Sequence, residues 1–184
     1  KYKSIKSMKS QYQIIIDFIL NSGKRLYAQS KLVSDSERMS FFKMADIEIE
    51  RGLKDIIREL GDEYTFFSEE ENHLFQDSKN LWVADPISGT QSFLNGLPHY
   101  CLVVSHLVNS ETRFACIYDP SVDELFTAYK NEGAFLNKER IYVNNETKTV
   151  TIRGVAHFQD QKLVQRLLSE VPKLFKEEKS FYSY

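Results

Sequence analysis

The stretch "WVADPISGTQSFLNG", Trp82 to Gly96, decides the fold. Its opening, 81–84, is an apolar run that reads as a buried strand ending at Asp85. Pro86 fixes the exit from that strand, and Gly89 lets the backbone fold tightly toward whatever lies above it. A short helix follows and stops at Asn95-Gly96, with Pro98 two residues on. The amides of Gly89, Thr90 and Gln91 are then free donors at a helix N-terminus, a position that favours phosphate. Ser88 to Gln91 also reads as a capping box, Ser88 as N-cap and Gln91 reaching back. The two readings are compatible.

Downstream, strand-like runs at 102–108, 113–119, 125–129, 134–136 and 141–143 are separated by Asn109-Ser110, Asp119-Pro120-Ser121, Asn131-Glu132-Gly133 and Asn137-Lys138. Such tight punctuation predicts an antiparallel meander. Upstream, Ile15, Phe18, Ile19 and Leu26 predict a helix over 7–28, with Asn21-Ser22-Gly23 as a point where it could kink. A second apolar stripe, from Met44, Ala45 and Ile49 through Leu53, Ile56 and Ile57 to Leu60, predicts another helix stopped by Gly61. Asp46 and Glu50 fall four apart on its other side. A short strand at 64–67 leads into Glu69, Glu70 and Glu71. Beyond a boundary near 144–148, a strand near 150–152, a helix near 160–168 and a final aromatic run read as the opening of an α/β unit. The expectation is an α/β fold of the α+β kind: an N-terminal subdomain, 1–146, holding the metal and phosphate site, and the beginning of a C-terminal α/β subdomain, 147–184. With no initiator Met and an end at "SFYSY", the chain is expected to be a segment of a longer polypeptide.

With 42% apolar and 13% aromatic residues the 184-residue chain has the material for a packed core. A formal charge of −2 offers duplex nucleic acid no basic footprint, so no nucleic-acid partner is expected. The four lysines of the first ten residues precede an apolar run that Asp17 interrupts, with no small-residue cleavage pattern, so neither a signal peptide nor a membrane partner is expected. Cys101 and Cys116 lie inside apolar runs, where buried free thiols are expected, and a cytoplasmic setting is the default.

Glu69 and Asp85 each follow an apolar run, where the end of a strand hands a side chain to a shared crevice. Two such carboxylates can hold a hard divalent cation such as magnesium, which takes oxygen ligands and keeps several waters. A cluster such as "SEEE" is on its own most often a solvated face. Cation ligands beside an anion cradle suggest phosphate-ester chemistry. No pair of the four histidines has metal-ligand spacing, Ser92 has no adjacent base, and Phe41, Phe42, Phe66 and Phe67 read as core.

"WVADPISGTQSFLNGLP" resembles the signature of the inositol monophosphatase family, in which an Asp-Pro-Ile-Asp-Gly-Thr turn follows a strand. "FFSEEE" is similar to the family's Gly-Glu-Glu element, "KMADIEIERGLKDII" to its Thr-x-x-Asp helix, and "GAFLNKERIYV" to the strand and turn closing its first subdomain. The resemblance implies a layered α/β/α/β/α fold and a Mg2+-dependent phosphomonoesterase whose partner is a small phosphorylated substrate. It implies Glu69, Asp85 and the Ile87 carbonyl as metal ligands, with Ser88 at the position of a further one. Asp46 and Thr90 would orient and deprotonate the attacking water, and Gly89 and Thr90 amides would hold the phosphate, with Ser88 beside them. Ser88 replaces the family's second aspartate and removes one negative charge from the metal site. The family's third acidic ligand, which follows a tryptophan, has no counterpart here, where the single tryptophan is Trp82. Inositol monophosphate is the expected substrate, with nucleotide bisphosphate, fructose bisphosphate and histidinol phosphate as related ones. The alternative is a family member that Ser88 has impaired, acting as a binding or regulatory protein. The resemblance also admits a homodimer.

Overall fold

The structure is a computed structural model that describes residues 5–61, 64–68 and 79–143, with side chains from residue 11 onward. Two helices open the chain, α1 (Ile5–Ser30) and α2 (Asp35–Leu60). Among the described residues seven strands and one short helix follow: β1 (Thr65–Ser68), β2 (Asn80–Ser88), α3 (Thr90–Leu94), β3 (Cys101–Val108), β4 (Glu111–Asp119), β5 (Glu124–Tyr129), β6 (Gly133–Leu136) and β7 (Glu139–Ile141). They form a single sheet in the order β1 to β7, with β1 parallel to β2 and every other pair antiparallel. The meander is the expected one except that its last strand, expected at 141–143, is Glu139–Ile141, and the fold is mixed α and β. Two of its hairpins, β3–β4 and β6–β7, turn on two residues of positive φ, Asn109 (52°) with Ser110 (62°) and Asn137 (48°) with Lys138 (74°). That geometry matches the twist of the flanking strands.

The helices cover one sheet face. In α1 the buried residues Tyr12, Ile15, Ile16, Ile19, Ser22, Gly23, Leu26 and Ser30 recur at helical spacing, and this stripe packs on β3 and β4. The strands meet it with alternate residues: Leu102, Val104 and His106 from β3, then Phe114, Cys116 and Tyr118 from β4. Gly23 is not a break. The helix runs on through it, and a Cβ there would lie 2.6 Å from the Tyr118 ring, so the missing side chain is what lets α1 seat on β4. Gly52 plays the same part between the helices, where a Cβ would lie 2.4 Å from the Phe18 ring. Gly61 caps α2 in extended backbone (φ 167°). Of the four phenylalanines expected in the core, Phe42 and Phe66 are buried, while Phe41 and Phe67 are half-buried.

A polar cluster sits inside this core. His106 stacks on Trp82 with centroids 4.2 Å apart, accepts the Tyr12 hydroxyl at Nδ1 (2.9 Å) and donates from Nε2 to Asn80 Oδ1 (2.7 Å). Burial, and secondarily Arg113, lower its pKa to about 4, so the ring is the neutral Nε2–H tautomer that these two bonds require. Burial likewise pushes the Tyr12 hydroxyl up to about 12.

The chain separates into two compact units, Lys1–Ile141 and Tyr142–Tyr184. The expected boundary at 144–148 and the strand and helix expected after it lie outside the described residues, and so does Glu69. No helix among the described residues is long and apolar enough to cross a membrane.

Candidate active site

The expected strand end at Asp85 is not where β2 stops. β2 continues through Pro86 to Ser88, and its register with β3 shifts on the way: Asp85 pairs with Val103 and Ser88 with Cys101. Two residues of β2 therefore face one of β3, which is a bulge, and Pro86, lacking an N–H, is suited to it. The parallel ladder with β1 reaches only Ser68 and Ala84, so Asp85 is the next residue beyond it. Asp85 is half-buried, Pro86 and Ile87 are buried, and Ser88 is half-buried. The bulge thus anchors two apolar residues while the polar ones on either side stay accessible.

Gly89 follows in the left-handed region (φ 103°), where a Cβ would lie 2.7 Å from the His99 carbonyl oxygen and 3.1 Å from Tyr100 Cα. Both the dihedral and the backbone behind it demand glycine. The capping box is not formed. Gly89 is the N-cap of α3, no side chain caps the helix, and Ser88 belongs to the strand. A serine held in the extended register of β2 cannot also take the flanking position of the helix, which starts two residues on. The first amide bonded inside α3 is Phe93 N–H to Gly89 O (3.0 Å), leaving the N–H groups of its first residues without helical partners. Gly89 and Thr90 are exposed, so this end of α3 is open to a ligand.

Asp46 corrects a second expectation. It and Glu50 are each only 5% exposed, whereas Met44 is 67% and Ile47 56% exposed. The buried stripe of α2 runs Phe42, Asp46, Ile49, Glu50, Leu53 and Ile57, so the acids lie on the packed face. Asp46 and Glu50 are in step with Leu53 and Ile57, yet that spacing did not by itself decide which face of α2 packs. The polarity of the side chains concealed it. The α2 helix packs against both β2 and α3, the elements that carry Asp85 and Thr90. Glu50, not singled out by sequence as a site residue, accepts the buried Ser68 hydroxyl at Oε2 (2.7 Å) and the Lys54 ammonium at Oε1 (2.6 Å). It thereby ties α2 to the last residue of β1, immediately before Glu69 in the chain.

Asp85, Ile87 and Ser88 offer oxygen donors only: a carboxylate, a peptide carbonyl from the bulge, and a hydroxyl. That donor chemistry fits a hard cation. Among the described residues no three His, Cys, Asp or Glu side chains converge on a metal position. Cys101 and Cys116 are free thiols. Burial, then Asp85 and Asp119, raise the Cys101 thiol pKa, and burial raises that of Cys116 to about 12, which disfavours the thiolate at both. His99 is exposed, and its carbonyl rather than its ring backs the Gly89 turn.

The profile of the inositol monophosphatase family matches residues 4–182. The chain belongs to that family. Inositol-1-monophosphatase of Rhizobium meliloti is 30% identical over 136 residues, which are 71% of this chain and 51% of that one. Nus factor SuhB of Pasteurella multocida is 38% identical over 98 residues, 53% of this chain and 37% of that one. The chain thus spans between about a third and a half of those relatives' own length. The crystal structure of inositol monophosphatase II from Staphylococcus aureus superposes with a TM-score of 0.76 at 18% identity, covering 95% of this chain and 65% of that one. At that identity the likeness is one of fold. The family takes its name from a phosphatase, and the inositol monophosphatase fold supplies the sheet on which the Asp85 turn is built.

Proposed function

We propose that this chain carries the N-terminal half of the active site of a Mg2+-dependent phosphomonoesterase that hydrolyses a small phosphorylated polyol, inositol monophosphate first among them. The observation that carries the reading is the bulge and glycine turn from Asp85 to Thr90, which set oxygen ligands and free peptide N–H groups within six residues of one another. Asp85, the Ile87 carbonyl and Ser88, with Glu69, would hold the cation. When bound, such a cation neutralises charge on the phosphoryl oxygens and acidifies water. The amides of Gly89 and Thr90 receive the phosphate oxygens. Thr90, with Asp46 from α2, orients the attacking water and takes its proton. The free thiols suit a reducing, cytoplasmic setting.

The test is phosphate release from inositol monophosphate by the full-length protein in Mg2+. Asp85→Asn keeps the shape and removes the charge, and is expected to lower the rate on the order of 100-fold or more. Equal rates for the two proteins would overturn the reading.

A second reading rests on Ser88, a neutral hydroxyl where the family has a carboxylate, and on relatives named both as a phosphatase and as a Nus factor. In it the chain retains the fold as a binding or regulatory protein without turnover. A wild-type protein that is inactive, and stays so after Ser88→Asp, favours this reading. Activity gained by Ser88→Asp marks an impaired enzyme.

A further inference from the structure

Where α1 gives way to α2, the chain turns a corner against the loop that follows α3, and a cavity of about 300 Å³ lies there. Tyr27, Ser30, Lys31, Arg38, Phe93 and Tyr100 line it together with the turn 96–98. Two of these residues are cations and none is a carboxylate.

Arg38 has a structural reason to be present. Its Nη1 donates to the carbonyl of Ser30, the last residue of α1, and its Nη2 to that of Val33 in the connection to α2, each at 3.3 Å. That does not exhaust a guanidinium, which has five N–H donors. Nη2 also meets Asp35 Oδ1 at 3.2 Å, but that carboxylate is wholly exposed, and Nε is buried without a partner among the described residues. The turn at Gly96 (φ 70°) lies against the guanidinium, with Cζ 3.5 Å from where a Cβ would stand. Lys31 places its ammonium 3.7 Å from the centre of the Tyr27 ring and forms no ion pair among the described residues. On the inner wall the Tyr100 hydroxyl donates to Ser30 Oγ (3.2 Å), which donates to the Tyr27 carbonyl (3.0 Å). Asp119 does not line the cavity and acts on Tyr100 through its field.

Positive charge without a matching carboxylate on the walls, beside the apolar surfaces of Phe93 and the turn, suits a dianion on a small organic body. We propose that this cavity binds a phosphate monoester, its phosphate held by Lys31 and Arg38 rather than by the Asp85 turn that Tyr100 backs. The proposal does not depend on the catalytic reading.

The experiment is calorimetric titration of the full chain with glycerol 2-phosphate in excess chelator, which withholds a cation from the Asp85 site. One bound ester per chain is expected, unchanged in Asp85→Asn. Lys31→Glu, at an exposed position, is expected to weaken it by about 10-fold or more with no change in melting temperature in phosphate-free buffer. Arg38→Gln should abolish it, and if that variant does not fold, Lys31→Glu decides. No heat at millimolar ester, affinity indifferent to Lys31→Glu, loss in Asp85→Asn, or equal competition by acetate would each overturn the proposal.

Discussion

Gly89 carries two constraints at once, a left-handed dihedral and the His99 carbonyl at 2.7 Å from any Cβ. Gly89→Ala is therefore expected to destabilise the protein by about 1–3 kcal/mol and to reduce phosphatase activity as the turn shifts. Denaturant unfolding beside the rate assay checks both, and a stable, fully active Ala variant would deny the turn its role. His106 yields a pH effect with a definite sign. Its folded pKa lies near 4, below the usual 6.5. Above pH 6.5 the ring is neutral in both states and its contribution is complete. As pH falls from 6.5 toward 4 the unfolded chain takes up a proton that the folded chain refuses, and stability falls by roughly 2–4 kcal/mol. Urea midpoints at pH 7 and pH 5 measure this loss, and His106→Phe should flatten it.

At the scale of elements, the junction of α2 with β1 is the informative one. Glu50 is a buried carboxylate with two partners on different elements, the Ser68 hydroxyl and the Lys54 ammonium. Glu50→Ala strands both partners and is expected to cost about 3–5 kcal/mol, whereas Ser68→Ala removes one neutral donor and is expected to cost about 1–3 kcal/mol. Chemical denaturation of the two variants and their double mutant checks the coupling; strictly additive losses would mean that the bond does not tie the helix to the strand. The β2 strand shows why element ends were harder to read than element identities. Its apolar run and its Asp-Pro-Ile-Ser-Gly sequence were visible, yet the sequence has no mark for a strand that bulges and carries on past a proline. Which of Ser88 and Gly89 caps α3 depended on the pairing of Ser88 with Cys101, a contact 13 residues away in the chain.

For the whole molecule, the proposed cation site would join Glu69 to the Asp85 turn from a separate part of the chain, which would link binding to folding. Added Mg2+ is expected to raise the melting temperature of the full-length protein, and a chelator to reverse the rise and abolish activity. Ser88→Asp, with one more negative charge at the site, should lower the Mg2+ concentration needed for the same rise. A melting temperature indifferent to Mg2+ in both proteins would remove the cation from the proposal. The order of β3 to β7 was legible because each turn of the meander is short and chemically marked. The parallel pairing of β1 with β2 was not, since nothing local to either strand states its direction relative to the other.

The sequence by itself determined the element order, the antiparallel meander and the glycine turn after Asp85, because turn chemistry and hydrophobic period are local properties, and its motifs from Trp82 to Pro98 carried the resemblance to the inositol monophosphatase family. Tertiary structure alone decided that Gly23 is a seat for Tyr118 rather than a kink, that Asp46 and Glu50 point inward, and that His106 is neutral between Tyr12 and Asn80. Each of those outcomes turns on which distant side chain occupies the neighbouring space, and burial and partnering are set by that neighbour rather than by the residue's own polarity.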